Sequence, residues 1–176
     1  AGAQFGASIA VLDGATDYLV VGAPTDTSDN TAGNGAAYVF SSADGATWTQ
    51  DATLVPRMAN VNNNFGYAVA MSATEPPTVV VGAPGYETAL ETGDAQSPYA
   101  QIVNAGAGFC FTKQGANWAI RDGAHTGDLW SPSIVTANTS IGRAVAIAPT
   151  DPDFAVVGGE TPTSSTGNAW TFGFDN

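Results

Sequence analysis

The chain has 176 residues, of which 44% are apolar and only 11% charged, against about 25% charged in ordinary soluble domains. Asp and Glu outnumber Lys and Arg by 16 to 4, for a formal net charge of -12. Four cations (Arg57, Lys113, Arg121 and Arg143) cannot neutralise a run of phosphates, so nucleic-acid binding and docking on anionic membrane are excluded.

The length suits one structural unit with a sizeable core, and the apolar fraction argues for a packed fold over disorder. No apolar run approaches the roughly 18 residues of a membrane span, so no membrane insertion is expected. The sequence opens Ala1-Gly2-Ala3-Gln4 without Met, which is expected of a chain that has lost a leader or been cut from something longer.

Along the chain, Phe5-Gly6 opens a run in which Ser8 and Ala10 alternate with Ile9. Beyond the turn residues Asp13-Gly14 comes Tyr18-Leu19-Val20-Val21, closed by Gly22. The small-aromatic stretch Ala37-Tyr38-Val39-Phe40 follows, then an element centred on Trp48. Phe65-Gly66 restarts the pattern, which continues through Ala68-Val69-Ala70, Thr78-Val79-Val80-Val81 and Gly82. It goes on to Gly108-Phe109-Cys110-Phe111 and an element centred on Trp118. A third pass runs from Ile141-Gly142 through Ala144-Val145-Ala146, Phe154-Ala155-Val156-Val157 and Gly158 to Ala169-Trp170-Thr171-Phe172, without a fourth element. In all three passes the closing glycine stands 17 residues after the opener.

This self-similarity dictates the fold class. Each pass reads as up to four short strands separated by turn residues, with no helical period anywhere, so the chain is all-β. Small residues alternate along the first strand, which permits close approach where sheets converge on a narrow axis, while the later strands carry Tyr, Phe and Trp. That taper predicts four-stranded antiparallel propeller blades at 5–64, 65–140 and, incomplete, 141–176, within a single unit spanning 1–176.

The segments Phe5-Gly6-Ala7-Ser8, Val20-Val21-Gly22-Ala23-Pro24 and Gly35-Ala36-Ala37-Tyr38-Val39-Phe40 resemble the FG-GAP repeat. That repeat is the blade unit of the integrin alpha-subunit propeller and of many secreted microbial proteins. The second pass repeats the pattern from Phe65-Gly66 to Val81-Gly82-Ala83-Pro84, and the third is worn, with Ile141 for Phe and Gly158-Gly159-Glu160 for Gly-Ala-Pro. The resemblance implies a β-propeller and an extracellular or cell-surface location. Propellers typically have four to eight blades, so three are expected to be part of a larger ring or to be completed by other copies. Unpaired strand edges and exposed inner faces invite such pairing, and head-to-tail contacts of that kind give rings or filaments.

The resemblance also implies calcium between the first and second strands, held by a run of alternating carboxylates. The corresponding loops here, Asp13-Gly14-Ala15-Thr16-Asp17, Ser72-Ala73-Thr74-Glu75 and Thr150-Asp151-Pro152-Asp153, do not supply that set. Asp26 and Asp29 in the following loop are the weak candidates for a cation, and no cofactor is otherwise expected.

No catalytic residue stands out. His125 is the only histidine, in a loop stretch, and no strained serine elbow is present. Cys110 is the only cysteine, so no intramolecular disulfide or thiolate cage can form, and its place between Phe109 and Phe111 reads as a small buried hydrophobe. Trp48 and Trp118 occupy equivalent positions and read as packing against the neighbouring strand or blade, with sugar stacking as the alternative. Asn138-Thr139-Ser140 is the single glycosylation sequon.

Two insertions, 85–107 and 122–140, are irregular and exceed what the repeat needs. In integrin-like propellers such loops form the ligand face, which makes Tyr99 and Trp130 the contact candidates. The expectation is a non-enzymatic extracellular structural or adhesive protein that self-assembles or packs with neighbouring blades. The alternative is a lectin- or integrin-like propeller module that binds a glycan or protein ligand within a larger receptor or enzyme.

Overall fold

The computed structural model describes residues 2–27, 31–91, 99–121, 137–160 and 167–173. Thirteen strands occur among them and no helix. They are β1 (Ser8–Leu12), β2 (Asp17–Ala23), β3 (Ala36–Ser42), β4 (Thr49–Leu54), β5 (Ala68–Met71), β6 (Thr78–Ala83), β7 (Thr88–Glu91), β8 (Tyr99–Ile102), β9 (Ala107–Gln114), β10 (Asn117–Ile120), β11 (Ala144–Ile147), β12 (Phe154–Glu160) and β13 (Gly167–Gly173).

They build three antiparallel sheets in the orders β1-β2-β3-β4, β5-β6-β9-β10 and β11-β12-β13, with β7-β8 as a separate hairpin. These are propeller-type blades, and the sheets do not close into a ring. The registers repeat with the sequence: Ser8 lies opposite Gly22, Ala68 opposite Gly82 and Ala144 opposite Gly158. β5 lies between β1 and β11, so the small-residue strands meet at the inner edge as their composition predicts.

One expectation is revised. The 85–107 insertion is not wholly irregular, because Thr88–Glu91 pairs with Tyr99–Ile102. Thr, Tyr and Ile favour extended backbone, but two four-residue strands set in an insertion carry too little alternation to stand out.

Packing follows the same register. In β6, Val79 and Val81 face the first blade while Val80 faces the third, and all three are fully buried. A strand covered on both faces needs a continuous apolar run, and Thr78-Val79-Val80-Val81 supplies one. Each buried valine contributes about 1.5–3 kcal/mol relative to exposure. The first interface gathers Tyr18, Val20, Val39 and Leu54 against Phe65, Val79, Val81, Phe109 and Phe111, and the second gathers Val80 and Cys110 against Ile141, Ala155 and Val157.

The linkers are stitched to the preceding blade. Backbone amides of Asn62, Asn64 and Phe65 donate to the carbonyls of Ala32, Gly33 and Asn34, each at 3.0 Å. Asn138, Ser140 and Ile141 repeat this on Val103, Asn104 and Ala105 at 3.0, 3.1 and 2.9 Å. Asn62 and Asn138 both have φ of 63°, a left-handed conformation that Asn tolerates better than most residues. Phe65 and Ile141 then drop into the interface, fully buried.

Candidate interaction surface

In each blade the opener's ring or side chain, two positions of the first strand and two of the third strand form one face, directed towards the preceding blade. In the second blade that face is covered. Phe65 and Phe109 are fully buried, Phe111 nearly so, and Val69 and Met71 pack on the same cluster. The Phe65 ring meets Phe109 at 5.3 Å and Phe111 at 6.0 Å.

The first blade carries the same face without a cover. Phe5, Ile9 and Val11 are 58%, 59% and 65% exposed, and they occupy the register positions of Phe65, Val69 and Met71. Phe5 meets Tyr38 at 5.6 Å and Phe40 at 6.3 Å, which reproduces the aromatic triad of the second blade in water. Tyr38 also donates its hydroxyl to Asp26 Oδ2 at 2.7 Å. Large apolar side chains clustered at one surface in this way mark interaction sites.

The internal interface shows what such a face receives. Trp118 on β10 donates its indole N–H to Asp51 Oδ2 of the first blade at 2.8 Å, and Lys113 donates to the same carboxylate. The Trp118 ring sits edge-on to Tyr18 at 6.0 Å, with the Lys113 ammonium 5.3 Å from the Tyr18 ring and 5.5 Å from that of Trp118. Burial works to raise the Asp51 carboxyl, but the hydrogen bonds from Lys113 and Trp118 and the Lys113 charge outweigh it and hold the group below its ordinary value. The second seam uses Arg121, which pairs with Asp153 and donates to the Pro152 carbonyl at 3.2 Å. Arg143 lies over the Tyr67 ring at 5.9 Å.

Those of the residues singled out from sequence that are described are not brought together. Asp26 is buried and serves as the Tyr38 acceptor, while Asp29, Trp130 and His125 lie outside the described residues. Among the described residues no group of three or more His, Cys, Asp or Glu is placed to hold a metal. Asn138 is exposed, and its side-chain oxygen accepts a hydrogen bond from Asn104 Nδ2 at 3.2 Å. The Tyr99 backbone pairs with Glu91 in the β7-β8 hairpin, and its side chain lies outside the described set. Burial pushes the Cys110 thiol up to about 12, so it stays protonated. Of the two equivalent tryptophans, Trp118 is an inter-blade hydrogen-bond donor and Trp48 is 39% exposed. Sequence reasoning missed the Asp51–Lys113–Trp118 seam. Its only sequence signal is the repeat alignment of Trp118 with Trp48.

Repeated antiparallel blades with interlocking aromatic faces define a β-propeller-type module. Residues 48–100 match the family model of the FG-GAP repeat, so the resemblance carried by Phe65-Gly66 and Gly82-Ala83-Pro84 is borne out over that stretch. No curated protein matches the chain. No helix among the described residues is long and apolar enough to cross a membrane.

Proposed function

We propose that this chain is a non-enzymatic, extracellular structural or adhesive FG-GAP module that works by packing its blade faces against neighbouring blades. One observation carries the reading: Phe5, Ile9 and Val11 are more than half exposed, while Phe65, at the position of Phe5, is fully buried by the blade before it. A face built for burial calls for a cover. FG-GAP repeats typically occur in extracellular or surface proteins, and a surface poor in Lys and Arg and rich in Thr and Asn fits that setting.

Hydroxyl-radical footprinting of native material against the purified, dilute chain tests the reading. Protection of Phe5, Ile9, Val11 and Trp48 in the native state is the expected result. Equal reactivity in both samples would overturn it. The β7-β8 hairpin, which stands apart from the blade sheets, favours the ligand-binding alternative. Loss of glycan or protein binding on deleting residues 88–102, with the melting temperature kept, would establish that reading instead.

A further inference from the structure

The glycines that close the second strand of each blade carry information about what lies beyond the chain's own contacts. A β-carbon on Gly22 would stand 2.0 Å from the Gly66 carbonyl oxygen, and one on Gly82 would stand 2.0 Å from that of Gly142. Both glycines are therefore required by the next blade, whose Phe-Gly or Ile-Gly opener crosses directly over them. Gly158 occupies the same register position, opposite Ala144 as Gly22 is opposite Ser8. Yet its nearest neighbour is the Ala144 Cβ at 3.5 Å, an ordinary van der Waals contact. Its backbone lies outside the left-handed region, so nothing among the described residues demands glycine there.

The other end holds the matching half. A β-carbon on Gly66 would meet the Ala36 carbonyl oxygen at 2.3 Å, and one on Gly142 would meet that of Ala107 at 2.4 Å, whereas Gly6 has nothing within 4 Å. The apolar groups agree with the glycines. Phe154, 45% exposed, and the partly exposed Val156 stand on β12 where Tyr18 and Val20 stand on β2, and those residues cover the second blade.

We infer that these two open faces close on each other between copies: the β11-β13 face of one chain seats on the β1-β3 face of a second copy, with Gly158 crossing Gly6. This inference rests on the packing reading above and names its partner. The chain itself shows the chemistry of the occupant, because both internal interfaces are this same crossing. A contact of this kind is heterologous, joining different patches of the two copies, and gives a ring or an open filament. The exposed side chains named on the two faces are apolar, while each copy carries a net charge of -12. Salt therefore screens repulsion between copies without breaking an ion pair, and association strengthens as ionic strength rises.

Sedimentation velocity on the purified full chain tests the inference at low and high salt, with thermal melts of the same samples. The wild type is expected to associate, more tightly in high salt. Gly158→Val is expected to weaken association roughly tenfold or more through overpacking of the crossing, with the monomer's melting temperature retained. Ile9→Asp on the opposite face does the same without touching β12, which guards against misfolding of the first variant. Ala144→Ser restores the hydroxyl that Ser8 donates to the Gly66 carbonyl at 2.9 Å, and is expected to tighten association about two- to tenfold. Undiminished association of both Gly158→Val and Ile9→Asp would overturn the inference. So would a wild type that stays monomeric in high salt. If that monomer's first-blade face is nevertheless protected in native material, only the second-copy partner is lost. If the face is open there as well, the packing reading falls with it.

Discussion

The carbonyl oxygen of Gly66 stands 2.0 Å from the point that a β-carbon on Gly22 would occupy. Two blades 44 positions apart in sequence thus meet backbone to backbone, and no flexible side chain is available to yield. Gly22→Ala and Gly82→Ala are each expected to destabilise the fold by about 1–3 kcal/mol. Gly158→Ala, with room around it, should change stability by less than about 0.5 kcal/mol. Urea titrations of the three variants give the comparison, and equal losses at all three sites would contradict it.

Phe5 and Phe65 are the same residue at the same place in successive blades, one wet and one dry. Phe65→Ala is expected to cost about 3–5 kcal/mol through lost transfer free energy and the cavity left behind. In the dilute chain Phe5→Ala should cost less than about 1 kcal/mol, since most of that ring already faces water. Calorimetric or denaturant melts at low protein concentration read the contrast directly.

Asp51 sets an acid limit on the first interface. Its folded carboxyl titrates below the ordinary value of 3.8, so as pH falls the unfolded chain takes up the proton first. The stability it contributes is present above about pH 4 and is lost as pH falls through the folded value. Asp44 adds to the same acid sensitivity: the Thr47 and Ala46 amides, with the Ser42 and Thr47 hydroxyls, lower it to about 2. Asp51→Asn should therefore lose less melting temperature than the wild type between about pH 5 and pH 2. Identical slopes would show that the Lys113 pairing does not couple to folding.

Cys110 is buried at 1% exposure between the second and third blades, and its thiol is held up at about 12. Thiolate is the reactive form, so Ellman's reagent at neutral pH should label it only as fast as the interface opens. Labelling that leaps to completion in urea and is negligible without it is the expected pattern. Rapid labelling of the folded chain would mean that the second interface breathes far more than its packing implies.

The constant spacing from Phe5, Phe65 and Ile141 to Gly22, Gly82 and Gly158 made the strands, their order and the propeller-type build legible before any coordinates. Those features are local: a strand of four to eight residues writes its own period and turn signals. The seams are not local. Asp51 reaches Lys113 and Trp118 across 62 and 67 positions, and nothing in the neighbourhood of either partner marks the other. The difference between Phe5 and Phe65 is equally invisible in sequence, because the two openers read alike and only the presence of a covering blade separates them. The β7-β8 hairpin was missed because its strands are short and lie within an insertion lacking the repeat's rhythm.

The stitched linkers change what counts as a transferable piece of this protein. Residues 62–65 hydrogen-bond to 32–34, and 138–141 to 103–105, so each opener is fastened to the blade it follows as well as to the blade it begins, where the Gly66 and Gly142 amides donate to the Gly82 and Gly158 carbonyls. A cut placed upstream, in 55–59, would separate residues 62–65 from 32–34 and sever all three bonds, whereas a cut just before Phe65 gives up only that residue's own bond to the Asn34 carbonyl. Lengthening or shortening the array by one blade therefore calls for cuts after the tether, so that residues 60–64 stay with the blade they are stitched to and the incoming opener supplies the amide and apolar side chain of Phe65.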